Sequence, residues 1–125
     1  MDELVSAFAP DGTIELFGGS HTGRAAIAAR LGSLIDPTAA GPDRVPLGFM
    51  RHNLTSCRIE LRSGSDADAW TYFHVFTPLG HDHCGVYVDR FTKHGERWLI
   101  SHRRIKIDWV HPGSLVIAPQ DMPKR

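Results

Sequence analysis

From Arg51 to Trp109 the chain is four β-rich runs separated by three polar turns, and this pattern limits what it can fold into. The runs cover about Arg51 to Arg62, Ala69 to Thr77, Cys84 to Thr92 and Arg97 to Trp109. Between them stand Ser63-Gly64-Ser65-Asp66, Pro78-Leu79-Gly80-His81 and Lys93-His94-Gly95-Glu96, each suited to a hairpin, so the second half predicts an antiparallel meander. Eight of the eleven aromatic residues lie at or after position 70, so the bulky packing sits on that sheet and must be covered. The cover comes from the first half. Ile27, Leu31, Leu34 and Ile35 share one face of a helix running from Arg24 to Ile35 and stopped by Asp36-Pro37. Leu4, Val5 and Phe8 have the spacing of a helix's last turns, closed by Pro10-Asp11-Gly12, and Thr13 to Phe17 then reads as a short strand ending at Gly18-Gly19.

Three prolines and two glycines between Pro37 and Gly48 mark one long loop, of the kind that often covers a site. After Trp109, His111-Pro112-Gly113 breaks the last strand, and residues 110–125 form a polar, Pro-rich tail pinned by Leu115, Val116 and Ile117. These elements make one α+β domain over residues 1–125, in which a curved sheet wraps helices and leaves a cavity.

Composition excludes several function classes. At 125 residues, with 42% hydrophobic and 22% charged side chains, the chain is an ordinary globule rather than a disordered segment. Lys plus Arg equals Asp plus Glu at 14 each, so no net field favours nucleic acid or an anionic membrane. No apolar run approaches the roughly 20 residues of a membrane helix. Two cysteines, Cys57 and Cys84, allow at most one bridge, and the acidic start Met1-Asp2-Glu3 is unlike a secretory signal, so a reducing cytoplasmic setting is expected.

Several residues could carry chemistry. In the first β-run Cys57, Ile59 and Leu61 alternate with Arg58, Glu60 and Arg62, but Arg51-His52-Asn53-Leu54-Thr55-Ser56 breaks that pattern and predicts a bulge near Thr55-Ser56. His52 heads this strand directly after the long loop, and an imidazole titrating near neutrality can serve as a general base; the plain alternative is a capping or surface histidine. His74 shares a strand face with Trp70, Tyr72 and Phe76, opposite Thr71, Phe73, Val75 and Thr77, and periodicity does not decide which face is internal. It is either a polar group in an aromatic pocket or an ordinary sheet histidine. His81-Asp82-His83-Cys84 invites a metal reading, since residues i and i+2 of a strand point the same way and soft ligands suit zinc. A polar hairpin tip explains the same residues, and no metal site is assigned. Tyr87, Asp89 and Phe91 form one face of the third run, and Asp89 could pair across strands with Arg103 or Arg104. The sharper reading has one of these arginines entering the cavity to hold a developing anion.

Five segments in order carry a family resemblance: Phe8-Ala9-Pro10-Asp11-Gly12-Thr13-Ile14-Glu15-Leu16, Gly23-Arg24-Ala25-Ala26-Ile27, Arg51-His52-Asn53-Leu54-Thr55-Ser56, Tyr87-Val88-Asp89-Arg90-Phe91 and Trp98-Leu99-Ile100-Ser101-His102-Arg103-Arg104. Together they resemble the SnoaL-like branch of the nuclear-transport-factor-2-like superfamily, over nearly the whole chain to Trp109. The resemblance implies a cystatin-like cone, a strongly bent antiparallel sheet around helices with an apolar pocket, assembled as dimers, trimers or tetramers. Similar enzymes include scytalone dehydratase, bile-acid dehydratase, lindane dehydrochlorinase, polyketide cyclases and ketosteroid isomerase, which need no cofactor. It implies His52 as the base and Arg103 as its electrostatic partner, with Met50 and Tyr87 in the pocket wall. Relatives carry an acidic partner for the histidine in a first helical region ahead of the Phe8 segment, and here only seven residues precede that segment.

The expectation is a pocket protein of dehydratase, isomerase or cyclase type, or else a non-catalytic binding or assembly module of the same fold. Catalysis would fall to His52 and Arg103, and contact with a small apolar cyclic ligand to Met50, Trp70, Tyr72, His74, Tyr87 and Asp89. The second apolar phase of the sheet predicts a homo-oligomer, with a dimer favoured. Without its acidic partner, His52 is expected to stay near its unperturbed pKa of about 6.5.

Overall fold

The computed structural model describes residues 1–35 and 47–123. Its elements are α1 (Asp2–Val5), β1 (Phe8–Leu16), β2 (Gly19–Thr22), α2 (Arg24–Ile35), β3 (Arg51–Leu61), β4 (Asp66–Thr77), β5 (Gly80–His94) and β6 (Arg97–Val110), with a final 3-10 turn at Pro119–Asp121. The strands form one sheet in the order β2-β1-β6-β5-β4-β3. The meander β3 to β6 is antiparallel throughout, as the three turns predict. The whole sheet is mixed rather than antiparallel, because β1 lies parallel to β6.

The sharpest departures from expectation fall where turn-forming residues sit inside pairing strands. Pro10-Asp11-Gly12 does not end the first segment; β1 runs through it with a register shift between Phe8 and Thr13. The irregularity accommodates a residue that cannot donate to a ladder. Gly12 is required there, since a Cβ would lie 2.8 Å from the Ile100 carbonyl oxygen. Phe17 (φ 50°) and Gly18 (φ 74°) are consecutive left-handed residues, the geometry of a tight hairpin turn, and this creates the unforeseen strand β2. The helix Arg24–Ile35 has the expected bounds. Its stop at Asp36-Pro37, and the loop as far as position 46, lie outside the described residues.

Bulges bend the meander. One falls between Leu54 and Cys57, at the phase change expected near Thr55-Ser56. Another interrupts β5 opposite Val75/Phe76, and β6 carries extra residues opposite Cys84/Gly85 and Arg90/Phe91. At Gly85 a Cβ would sit 2.0 Å from the Lys106 carbonyl oxygen, so β5 and β6 approach more closely than any side chain allows.

The register settles the faces. Phe73 and Val75 are buried on the inner face with Tyr87, packed by Met50, Ile105 and Ile107. A second cluster, Val5, Phe8, Ile14, Ile27 and Ile100, joins α1 and α2 to β1 and β6. Tyr72, Phe76 and Trp109 lie on the outer face, 52%, 41% and 43% exposed.

Candidate functional site

Between the helices and the inner face lies a cavity of about 530 Å³, within the range of small-molecule sites. Its wall is mainly apolar, with Phe8, Leu31, Leu34, Phe73 and Ile107 among the contributors. Polar character comes from His52, His83, Tyr87 and Arg103.

Arg103 enters the cavity wall because β6 pairs it with Asp89 on β5, while Arg104 pairs with Val88 and faces outward. The guanidinium donates from Nε to Asp89 Oδ1 and from Nη2 to Oδ2, both at 2.8 Å. It also lies 4.0 Å above the Tyr87 ring, which stacks on Phe73 with centroids 4.3 Å apart. The Asp89 carboxylate is 1% exposed, so this bidentate pair is what makes its burial tolerable. Burial pushes the Tyr87 phenol up, a rise that Asp89 adds to and Arg103 opposes.

His52 sits on the inner face opposite Val75 and lines the cavity, although β3 is an edge strand whose residues keep solvent contact along one side. Its pKa is not held near the ordinary value. Desolvation in the cavity lowers it, and His83 when protonated and Arg103 lower it further, so the ring is neutral at pH 7.

The cavity's second histidine, His83, stood out in the sequence only as half of a His81/His83 metal pair, not as a pocket residue. His83 is buried, and its Nδ1 lies 2.7 Å from Asp82 Oδ1. Asp82 has no solvent exposure at all. Its Oδ1 also accepts from Ser114 Oγ at 2.5 Å, and its Oδ2 from the Leu115 amide at 2.8 Å and Thr77 Oγ1 at 3.3 Å. Burial alone would raise the Asp82 carboxyl, but donors from Ser114, His83 and Leu115 outweigh it and hold the pKa below the ordinary value. Burial likewise lowers the His83 pKa, against the opposing pull of Asp82. An ionised carboxylate can only accept, so Nδ1 carries the imidazole proton and Nε2 the lone pair.

The structure corrects the strand alternation assumed for His81 and His83. In the register, His83 pairs with Val75 and His81 with Phe76, leaving Asp82 as the extra residue of a bulge. The bulge cancels the i, i+2 rule, so His83 lines the cavity while His81 stacks on the outer-face Trp109 at 5.1 Å. The tail is pinned chiefly through Asp82, with buried Ile117 reaching the cavity.

Of the residues expected to contact ligand, Met50 and Tyr87 line the cavity, and Asp89 lies behind Arg103. Trp70, Tyr72 and His74 do not reach it. Trp70 borders a shallow outer cleft with Asp68, Arg90 and His102, Tyr72 is exposed, and His74 packs against His81. The outer phase of β4 carries the polar-aromatic set and the inner phase the buried one, the choice periodicity left open.

The SnoaL-like domain family matches residues 1–104, most of the chain. The chain belongs to this family. Its fold is shared by a cystatin-like protein of unknown function from Nostoc punctiforme (TM-score 0.73, 18% identity, 89% of this chain and 78% of that one). A candidate scytalone dehydratase from Novosphingobium aromaticivorans is also similar (0.69, 16%, 88% and 72%). So is a hexachlorocyclohexane dehydrochlorinase, LinA type 3, from Novosphingobium barchaimii (0.70, 15%, 94% and 81%). No curated protein matches the chain in sequence. Among the described residues, no helix is long and apolar enough to cross a membrane.

Proposed function

We propose that this SnoaL-like protein is a cofactor-independent lyase or isomerase acting on a small, largely apolar cyclic substrate, with His83 as base and Asp82 as its orienting carboxylate. The observation that carries this reading is the buried 2.7 Å contact between Asp82 and the Nδ1 of a cavity-lining histidine. A neutral imidazole with one nitrogen fixed by a carboxylate is a general base whose tautomer and orientation are set in advance. In the proposed reaction Nε2 takes a proton from a substrate carbon. The released electron pair then forms a double bond and expels hydroxide or halide from the neighbouring carbon, or moves into a carbonyl as an enolate. Arg103 stabilises the developing negative charge, and neutral His52 donates its ring N–H to the departing group. His52 was expected to be the base. Among the described residues no carboxylate supports it, and Arg103, with His83 whenever that ring is protonated, opposes its protonation, so we assign the role to His83. The folds of the dehydratase and dehydrochlorinase neighbours support a lyase reading at the level of architecture.

The test is a panel of hydroxylated and halogenated cyclic compounds, assayed for binding and turnover with the wild-type chain, His83→Gln and His52→Gln. His83→Gln should lower kcat by about 10² to 10⁴ while binding persists. Full turnover without His83 refutes the assignment. The Arg103 charge is already paired with Asp89, which favours a second reading as a non-catalytic binding module. Binding by wild type without any turnover establishes that alternative.

A further inference from the structure

On the outer face, away from the cavity, three soft or borderline ligands converge. His74 Nδ1, His81 Nε2 and Cys84 Sγ all lie within 4.8 Å of one another. Their placement is built into the sheet. His74 on β4 pairs directly with Cys84 on β5, and the Asp82 bulge turns His81 to the same side. Trp109, opposite Cys84 on β6, stacks on the His81 ring at an interplanar angle of 23° and fixes its orientation. We propose that His74, His81 and Cys84 form a binding site for a Zn²⁺-type transition-metal ion, with the remaining position open to water.

The two ring nitrogens are 3.3 Å apart. That is at the long end for a hydrogen bond, since N–H···O bonds centre near 2.9–3.0 Å. It equals the edge of a tetrahedron with Zn–N bonds of 2.0–2.1 Å, about 3.3–3.4 Å. The corresponding sulfur-to-nitrogen edge, with Zn–S near 2.3 Å, is about 3.6 Å. Closing the set therefore asks for side-chain movement of about 1 Å and no movement of the paired strands. Two imidazoles and one thiolate suit zinc and its neighbours and not the oxygen-seeking Mg²⁺ or Ca²⁺. On binding, the Cys84 S–H gives its proton to solvent as the sulfur–metal bond forms. The histidines bind as neutral rings, so one proton leaves per ion and no electrons are transferred. The site lies apart from the cavity, since His83 faces the opposite side of the sheet.

The protein carries its own control. Cys57 is an exposed free thiol on the inner face, and Cys84 is half-buried in the proposed site. Reduced wild-type protein is labelled with a thiol alkylating agent, with and without saturating Zn²⁺, and each cysteine is followed by peptide mass spectrometry. Labelling of Cys84 should slow at least tenfold while the Cys57 rate stays unchanged. Co²⁺ titration should give one equivalent per chain with a thiolate charge-transfer band. That band should vanish in Cys84→Ser, weaken at least tenfold in affinity in His74→Ala, and persist in His94→Ala, at the far hairpin. Cys84 labelling unaffected by Zn²⁺, equal protection of both thiols, or a Co²⁺ band indifferent to His74 and Cys84 overturns the site. The labelling arm needs no substitution, so the proposal stays refutable even if a variant misfolds.

Discussion

Replacing the buried Asp82 carboxylate by its amide should unsettle the fold and the cavity chemistry together. An asparagine can accept through one atom and must donate through the other. If its amide nitrogen took the place of Oδ2, it would meet the Leu115 N–H donor to donor, so the carbonyl must stay on that side. The amide then faces His83 and Ser114. Ser114 Oγ already accepts from the Val116 and Ile117 amides, at 3.2 and 2.9 Å, and has little capacity to accept a third. Its O–H therefore loses its acceptor. His83 can adapt, but only by giving up the proton on Nδ1 and carrying it on Nε2. One lost buried hydrogen bond and the loss of charge assistance in the others should cost about 2–3 kcal/mol. For a domain of this length that is about 4 °C of melting temperature per kcal/mol, or a drop of about 8–12 °C. The assay pairs thermal unfolding of Asp82→Asn with long-range ¹⁵N NMR of the His83 ring. The expected spectrum shows Nδ1 unprotonated, and turnover should fall with it while ligand binding persists. A drop below about 4 °C with the Nδ1–H tautomer retained would refute the reasoning.

Other predictions concern the charges around the cavity and the outer face. Folded His83 has a pKa below the 6.5 of the unfolded chain, so between those values the unfolded state binds the extra proton. Stability should be full above about pH 6.5 and fall as the pH drops through that window, by at most about 1.4 kcal/mol per pH unit from this group; urea melts of wild type and His83→Gln measure it, and equal slopes count against the burial argument. Arg103→Met strands the buried Asp89 charge and should destabilise by about 3 kcal/mol, whereas the double change Arg103→Met, Asp89→Leu should recover much of that loss in denaturant melts. The exposed outer-face aromatics Tyr72, Phe76 and Trp109 predict self-association. Sedimentation with and without a chelator, since the candidate metal ligands share that face, should show particles heavier than 13.9 kDa, and a monomer under both conditions removes the prediction.

What the sequence disclosed and what it hid follow from the same physics. Strand period and hairpin chemistry are local, so the meander and the helix Arg24–Ile35 could be read from runs a few residues long. The parallel pairing of β1 with β6 joins segments more than eighty residues apart, and nothing local in Phe8 to Leu16 specifies it. The inner face of β4 was ambiguous because Thr71, Phe73, Val75 and Thr77 are no more apolar than Trp70, Tyr72 and Phe76. Aromatics with a polar edge can serve either a core or an exposed surface. Pairing decides the matter, through Val75 opposite His83 and Phe73 opposite Gly85.

Asp82 was hidden for a more specific reason. Beside two histidines and a cysteine at a hairpin's edge, an aspartate reads as solvent-facing, because buried carboxylates are rare unless paired. Its principal partners, Ser114 and Leu115, come from a tail thirty residues on, and that separation carries no local signal. Yet the partners explain why the bulge forms where it does. A carboxylate that collects four donors is better satisfied inside than in the outward position that regular alternation would give it. Drawing Asp82 inward adds one residue to β5 relative to β4, which separates His81 from His83. The same displacement gives the cavity an oriented imidazole and gives the outer face the third member of its His74, His81, Cys84 cluster. Both proposed sites thus depend on one buried carboxylate, and Asp82→Asn should reveal the dependence in order: the His83 tautomer changes wherever the fold survives, whereas the outer cluster is lost only if the bulge itself straightens.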